Sequence, residues 1–275
     1  MHILFFCPRW GSESLSWYQF FFKVKEAGYD GVETGFPFTL SANEKVEITK
    51  GLKEFDLAVI GQHWQTIESN FDQHKQTFQK HLFSLAELNP LFINSQTGKD
   101  YFTIEQNLAL IQTADDISKE TGIKILHETH RGKWSFAAHI TQQYLQLAPQ
   151  IRITLDISHW CNVAESFLED QVAAVQTAID HTDHLHARVG FEEGPQVMDP
   201  RAPENKPILN IHFNWWDTLI TLKKEQGTTT FTITPEFGAP PYQHVLPYTN
   251  QPISDQWEVN VWMKNLLKRR YNQES

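Results

Sequence analysis

A chain of 275 residues, 40% hydrophobic and 20% charged, holds enough apolar material for one large domain or two ordinary ones. Aromatic residues make up 13%, which excludes an intrinsically disordered chain. With 33 Asp and Glu against 23 Lys and Arg, the formal charge is −10, so non-specific grip on a phosphate backbone is disfavoured and no nucleic-acid partner is expected.

Two cysteines, Cys7 and Cys161, make neither a disulfide framework nor a Cys-based zinc site, and a reducing cytoplasm is the expected home. The apolar run 3–7 is too short for a signal-peptide core. No stretch approaches the ~18 apolar residues of a membrane span, so no membrane partner is expected.

In chain order, short apolar runs occur at 3–7, 31–34, 57–60, 91–94, 123–127, 151–155, 184–189 and 230–234. Their continuous apolar character suits parallel strands buried on both faces. Amphipathic stretches separate them. Ser41 with Glu44, and Thr103 with Gln106, fit the capping box that opens a helix. After Thr103, the residues Ile104, Leu108, Ile111 and Ile117 recur at helical spacing, and Gly122 supplies a stop. The last helix shows Val259, Trp262 and Leu266 on one face; its basic end, Lys268 to Arg270, suits the negative pole of the helix dipole and reads as a solvated terminus.

This alternation predicts an α/β fold, a (β/α)8 TIM barrel forming a single domain over residues 1–275. A doubly wound sheet is the alternative, but the first turn, Cys7 to Gly11, lacks the GxGxxG pattern that such folds use for nucleotides. Two irregular segments, 190–207 and 237–252, follow the seventh and eighth strands, where long barrel loops carry function.

The last four strands end in Glu128, Asp156, His186 and Glu236. A closed barrel brings such residues together at its C-terminal mouth. Three carboxylates packed together repel one another unless a cation sits among them. Three oxygen donors and one nitrogen make a site for one divalent ion, Mn, Mg, Co or Zn. The absence of thiolate points to a catalytic ion with open positions. The bland alternative, a carboxylate that merely caps the next helix, weakens when four consecutive strands end this way.

Glu128 to Arg131, the D-x-x-H pattern of Asp156 and His159, the H-x-H pattern of His184 and His186, and the pair Pro235 and Glu236 resemble the xylose-isomerase-like TIM-barrel superfamily. The loop 188–197 and the run 236–242 look like its sugar phosphate isomerase/epimerase branch. The resemblance covers essentially the whole chain. It implies that Glu128, Asp156, His186 and Glu236 hold the metal, and that His159 and Arg188 hold substrate oxygens.

Further substrate-binding candidates are His63 and Trp10, each following a strand, Gln196 in the loop after the seventh strand, and Arg131, which could clamp a carboxylate or phosphate or pair with a ligand. Trp64 and Trp160 also follow strands, where an indole face could pack on a sugar ring. Trp215 and Trp216 are expected to pack a helix, His127 to face away from the mouth by strand alternation, and Cys161 not to act as a nucleophile.

The expected activity is that of a metal-dependent sugar or sugar phosphate isomerase or epimerase. A substrate chelating the ion through a carbonyl oxygen and a neighbouring hydroxyl would lose its α-proton, giving an enediolate, with Glu128 and Glu236 as catalytic base and acid. Groups on both faces give epimerisation; one group gives aldose–ketose isomerisation. A keto-inositol dehydratase on the same site is the alternative. Weaker is an apurinic endonuclease-type repair enzyme, whose three zinc ions need a D-x-H pattern that is absent between Val189 and Asn210. A barrel that binds without turnover is a third reading. The partner is expected to be a small sugar-like molecule, and a homo-oligomer is left open. Metal affinity is expected to fall most steeply near pH ~6, where an ordinary imidazole protonates.

Overall fold

The computed structural model describes residues 1–36 and 40–272. Each of the eight apolar runs overlaps a strand. In chain order the elements are β1 (His2–Pro8), α1 (Trp17–Glu26), β2 (Gly31–Thr34), α2 (Ala42–Glu54), β3 (Ala58–His63), α3 (Phe71–Ala86), β4 (Ile93–Ser95), α4 (Ile104–Thr121) and β5 (Ile125–Glu128). There follow α5 (Ala138–Leu147), β6 (Ile153–Leu155), α6 (Ser158–Ala164), α7 (Val172–His181), β7 (Thr182–His186), α8 (Lys206–Glu225), β8 (Thr230–Thr234) and α9 (Gln256–Tyr271). The strands pair in sequence order, all parallel, and β1 closes onto β8 with Leu4 opposite Thr232, which makes a TIM barrel.

Ser41 and Thr103 form the expected capping boxes, and Ser16 with Gln19 forms another at the start of α1. Gly122 ends α4 with φ 73°, a left-handed conformation that glycine adopts without steric cost. Two expectations shift. Strand β7 stops at His186, not at residue 189. On α9 the buried stripe is Val259, Met263 and Leu267; Trp262 and Leu266 only flank it.

The main core lies between the barrel and its ring of helices. Inside the barrel, Phe6, Ile60, Phe92 and Leu126 form a small apolar floor. Side chains alternate across a strand, so the next inward positions along β3, β4 and β5 fall on Gln62, Asn94 and Glu128. Polar residues thus begin two residues beyond the floor, and they are all buried.

Candidate active site

Glu128, Asp156, His186 and Glu236 each offer one ligand atom, and those atoms all lie within 4.8 Å of one another. All four residues are buried. Asp156 is anchored through its backbone, its N–H donating to Thr129 Oγ1 at 2.7 Å. Its Oδ1 takes the Ser158 N–H at 3.1 Å, so it supports the start of α6, while its Oδ2 pairs with the Arg188 guanidinium. Amide side chains steady the two glutamates. Gln62 donates to Glu236 Oε1 at 2.8 Å, Asn94 to Glu128 Oε2 at 3.0 Å, and Gln96 to Glu128 Oε1 at 3.2 Å.

His186 is oriented by a residue that the strand-end pattern does not select. Glu33, on β2, is fully buried, and its Oε1 lies 2.9 Å from His186 Nε2. Asn94 Nδ2 donates to the same oxygen at 2.8 Å, while Thr234 Oγ1 and His184 Nε2 reach the other oxygen. With Nε2 held, His186 turns Nδ1 toward the carboxylates, 2.9 Å from Glu236 Oε2 and 3.9 Å from Glu128 Oε1. Nδ1 nevertheless has no well-formed hydrogen bond, although it is shielded from water. Glu33 also forms with His184 and His186 a second group able to hold an ion, and Glu128, His130 and His159 form a third.

The charges are coupled. Burial alone would discharge His186, but Glu236, Glu33 and Glu128 outweigh it and raise its pKa well above the ordinary imidazole value. Burial would likewise protonate Glu33 and Glu236, yet His186, with His184 for Glu33 and Arg188 for Glu236, keeps both below the usual carboxylate range. Glu128 is the exception: burial and its acidic neighbours Glu236, Asp156 and Glu33 push it up to about 8. The protonated His186 occupies the electrostatic role that a cation would otherwise fill.

A cavity of about 900 Å³ opens above this set, with Glu128, Glu236, Arg188, Trp10, Trp64 and Tyr242 among its lining residues. Tyr242 is edge-on to Trp10, with ring centroids 4.8 Å apart, and its face meets the guanidinium carbons of Arg131 at 4.7 Å and Arg188 at 5.0 Å. His159 is buried behind Arg188, with Nε2 2.8 Å from Arg188 Nη2 and Nδ1 without a partner.

Three expectations are corrected. His63 is fully buried and turned away from the mouth: its ring nitrogens meet Ser95 Oγ at 2.9 Å and Thr66 Oγ1 at 2.7 Å, leaving none for a substrate. The inward residue at the end of β3 is its neighbour Gln62. Gln196 is buried and spends its amide on Gly238, accepting from its N–H at 2.8 Å and donating to its carbonyl at 3.2 Å, so it joins two loops. Trp160 is a core residue whose indole N–H donates to the Ser135 carbonyl at 2.9 Å. His127 faces outward onto Thr97 Oγ1, and Trp216 packs in the core. Burial raises the Cys161 thiol far above its ordinary range, so it carries no thiolate.

These strands and their closure define a (β/α)8 TIM barrel, and solved structures share that fold over nearly the whole chain. A xylose isomerase domain containing protein from Salmonella typhimurium LT2 superposes with a TM-score of 0.66 at 14% identity, covering 98% of this chain and 97% of that one. A D-tagatose 3-epimerase-like protein gives 0.62 at 16% identity, covering 97% of each chain. An AP endonuclease, family 2, from Brucella melitensis gives 0.61 at 16% identity, covering 95% and 98%. No protein-family model matches the sequence, and no curated protein matches it in sequence. Likeness at these identities establishes the fold alone, and one barrel serves proteins of different names, so the chemistry has to be argued from the site.

Proposed function

We propose that the chain is a metal-dependent isomerase or epimerase of a sugar or sugar derivative, moving a proton next to a carbonyl through an enediolate. The observation that carries this reading is the convergence of His186, Glu128, Asp156 and Glu236, whose ligand atoms lie within 4.8 Å of one another, with the buried His186 Nδ1 turned toward the carboxylates and making no well-formed hydrogen bond. Donors at ~2.0–2.6 Å from one ion are necessarily within about 5 Å of each other. A histidine whose second nitrogen is fixed by a carboxylate is the usual arrangement of a metal ligand. The residues therefore fit one divalent ion, Mn, Mg, Co or Zn, held by Glu128, Asp156, His186 and Glu236.

Such an ion supplies Lewis acidity beside a substrate carbonyl. The protein does the rest. Glu236, kept ionised by His186 and Arg188, is the group suited to take the α-proton; Glu128, with its raised pKa, is suited to give one back. Arg188 lines the cavity, where it can meet a substrate oxygen, with His159 steadying its guanidinium from behind; Trp10 and Tyr242 offer aromatic surface to an apolar sugar face.

The test combines metal analysis with exchange of the substrate α-hydrogen in deuterated water, over a panel of ketoses and keto-inositols. One ion per chain is expected. Glu236→Gln should keep part of the metal and lose exchange by at least ~10²-fold, the usual scale of general acid–base catalysis. Wild-type exchange in that variant would pass the base role to Glu128; a chain that binds no divalent ion overturns the reading. Loss of water from a keto-inositol would identify a dehydratase. Several ions per chain with cleavage of abasic DNA would identify the nuclease, with Glu128, His130 and His159 as the additional site.

A further inference from the structure

The cavity extends beyond the ligand set. At about 900 Å³ it stands near the top of the range used for small-molecule pockets, and it continues over the rim of β1 and β2, where Arg9, Glu13, Trp17 and Phe36 line it. Arg9 is the residue of interest there. Its guanidinium carbon lies 3.6 Å from the Trp17 ring centroid and 5.1 Å from that of Phe20. Trp17 is itself stacked on Phe36, with centroids 5.3 Å apart. Nη2 donates to the Leu15 carbonyl at 2.9 Å. The planar group is thus held in place by stacking and by one tether.

What it lacks is a bonded counter-charge: Glu13 is near enough to favour its charged form but does not pair with it. Among the described residues no carboxylate forms an ion pair with Arg9, and its Nη1 is shielded from water without a hydrogen-bond partner. Glu13 shares the wall, but both of its oxygens take the Gly11 N–H, at 3.1 and 3.0 Å. The other arginine lining the cavity, Arg188, is committed to Asp156, Ser158 and His159. A shielded donor left unpaired costs stability, and a guanidinium fork matches the two oxygens of a carboxylate or phosphate. On a protein of formal charge −10, an anionic ligand needs such a local cation to offset the general repulsion.

We propose that Arg9 determines specificity for a substrate that carries an anionic group, a carboxylate or a phosphate, in addition to the carbonyl part that meets Glu128 and Glu236. The inference rests on the isomerase or epimerase reading of that site. It places the substrate among sugar acids or sugar phosphates.

The experiment uses the metal-loaded protein and matched sets of a neutral ketose, its terminal phosphate and the corresponding keto-uronate, assayed by α-hydrogen exchange. Wild type should favour one anionic member, and which one names the group. Arg9→Met, which keeps the stem against Trp17, should collapse the anionic-over-neutral preference by about 10–100-fold, mainly through KM, the scale expected for a charged hydrogen bond. Arg9→Lys, which keeps the charge and loses the fork, should fall between. Equal use of neutral and anionic members by wild type, or a preference that survives both substitutions, overturns the proposal. A separate binding arm follows the melting temperature with inorganic phosphate and with malonate: one should stabilise wild type and lose that effect in Arg9→Met. If no member of any set exchanges, the isomerase reading fails, and this arm alone decides Arg9; no Arg9-dependent stabilisation rejects it.

Discussion

Two groups of charge sit at opposite ends of the barrel. At the N-terminal end, Asp183 at the start of β7 receives Arg152 through Nε at 3.0 Å and Nη2 at 2.6 Å, Lys223 at 3.0 Å, and Lys124. One carboxylate there meets three cations at the edge of solvent. At the C-terminal end, Glu33, Glu128, Asp156 and Glu236 share two cations, Arg188 and a protonated His186, wholly out of water. In the first group every cation reaches the one carboxylate directly, and the surplus positive charge stands at the edge of solvent. The second leaves negative charge in excess and a nitrogen without a well-formed hydrogen bond, an arrangement that stability alone does not favour. Surplus charge that water can screen at one end, and surplus charge sealed from water at the other, separates the part that holds the barrel together from the part disposed to bind.

The largest effect should come from breaking the Asp156–Arg188 pair of the upper group. Asp156→Ala leaves the buried Arg188 with only the longer contact to Glu236 at 3.7 Å, and should cost about 3–5 kcal/mol of unfolding free energy in chelator-treated protein, read by urea denaturation. A loss below about 1 kcal/mol would show that the upper group bears its surplus charge as lightly as the lower one.

At the lower end, Asp183→Asn should cost about 1.5–3 kcal/mol, the scale of hydrogen bonds to a charged group, while metal content stays unchanged. Burial opposes the Asp183 charge, but Arg152 and Lys124 lower its folded pKa below the ordinary value. Its contribution is therefore complete above the unfolded pKa of about 3.9 and is lost as pH falls through the folded value. The difference between wild type and Asp183→Asn should accordingly shrink below about pH 4; a constant difference down to pH 2 would contradict the pairing.

Smaller still is the effect of Glu33→Gln, which should weaken metal binding by about 10–100-fold without removing a ligand. Chelator competition measures it. The same titration in wild type should show affinity still rising through about pH 8, because the protons on His186 and Glu128 must leave before a cation enters. That moves the expected loss upward from pH ~6: the imidazole concerned sits among carboxylates and is not an ordinary one. A plateau already reached at pH 6.5 would refute the shift.

The barrel was legible because buried parallel strands write themselves as uninterrupted apolar runs, and because Glu128, Asp156 and Glu236 each interrupt that pattern at a strand end. Glu33 was not legible by the same rule. It sits inside the run 31–34, on a strand whose four residues are all buried, where its charge looks like one polar position of an ordinary alternation. The available signal was that a strand covered on both faces has no solvent side for a glutamate. His63 and Gln196 fail for a different reason. Their place after a strand is right, but which way a side chain turns depends on inward or outward parity and on loop pairing, and a one-residue step exchanges His63 for Gln62.

The amide clasp between Gln196 and Gly238 has one more consequence. It ties the loop after β7 to the loop after β8, and Trp10 presses on Gly238 so closely that an added Cβ would stand 2.0 Å from its ring. Ser254 Oγ donating to the Met198 carbonyl at 2.6 Å adds a further stitch between the same loops. That part of the rim is therefore stiff, and tolerance for differently shaped molecules is left to the adjoining part that runs on from Trp10 toward β3. Drift among relatives in what the barrel accepts would then be written in the segments around Arg9, Phe36 and Trp64, while the wall built on Gln196 and Gly238 stays as it is.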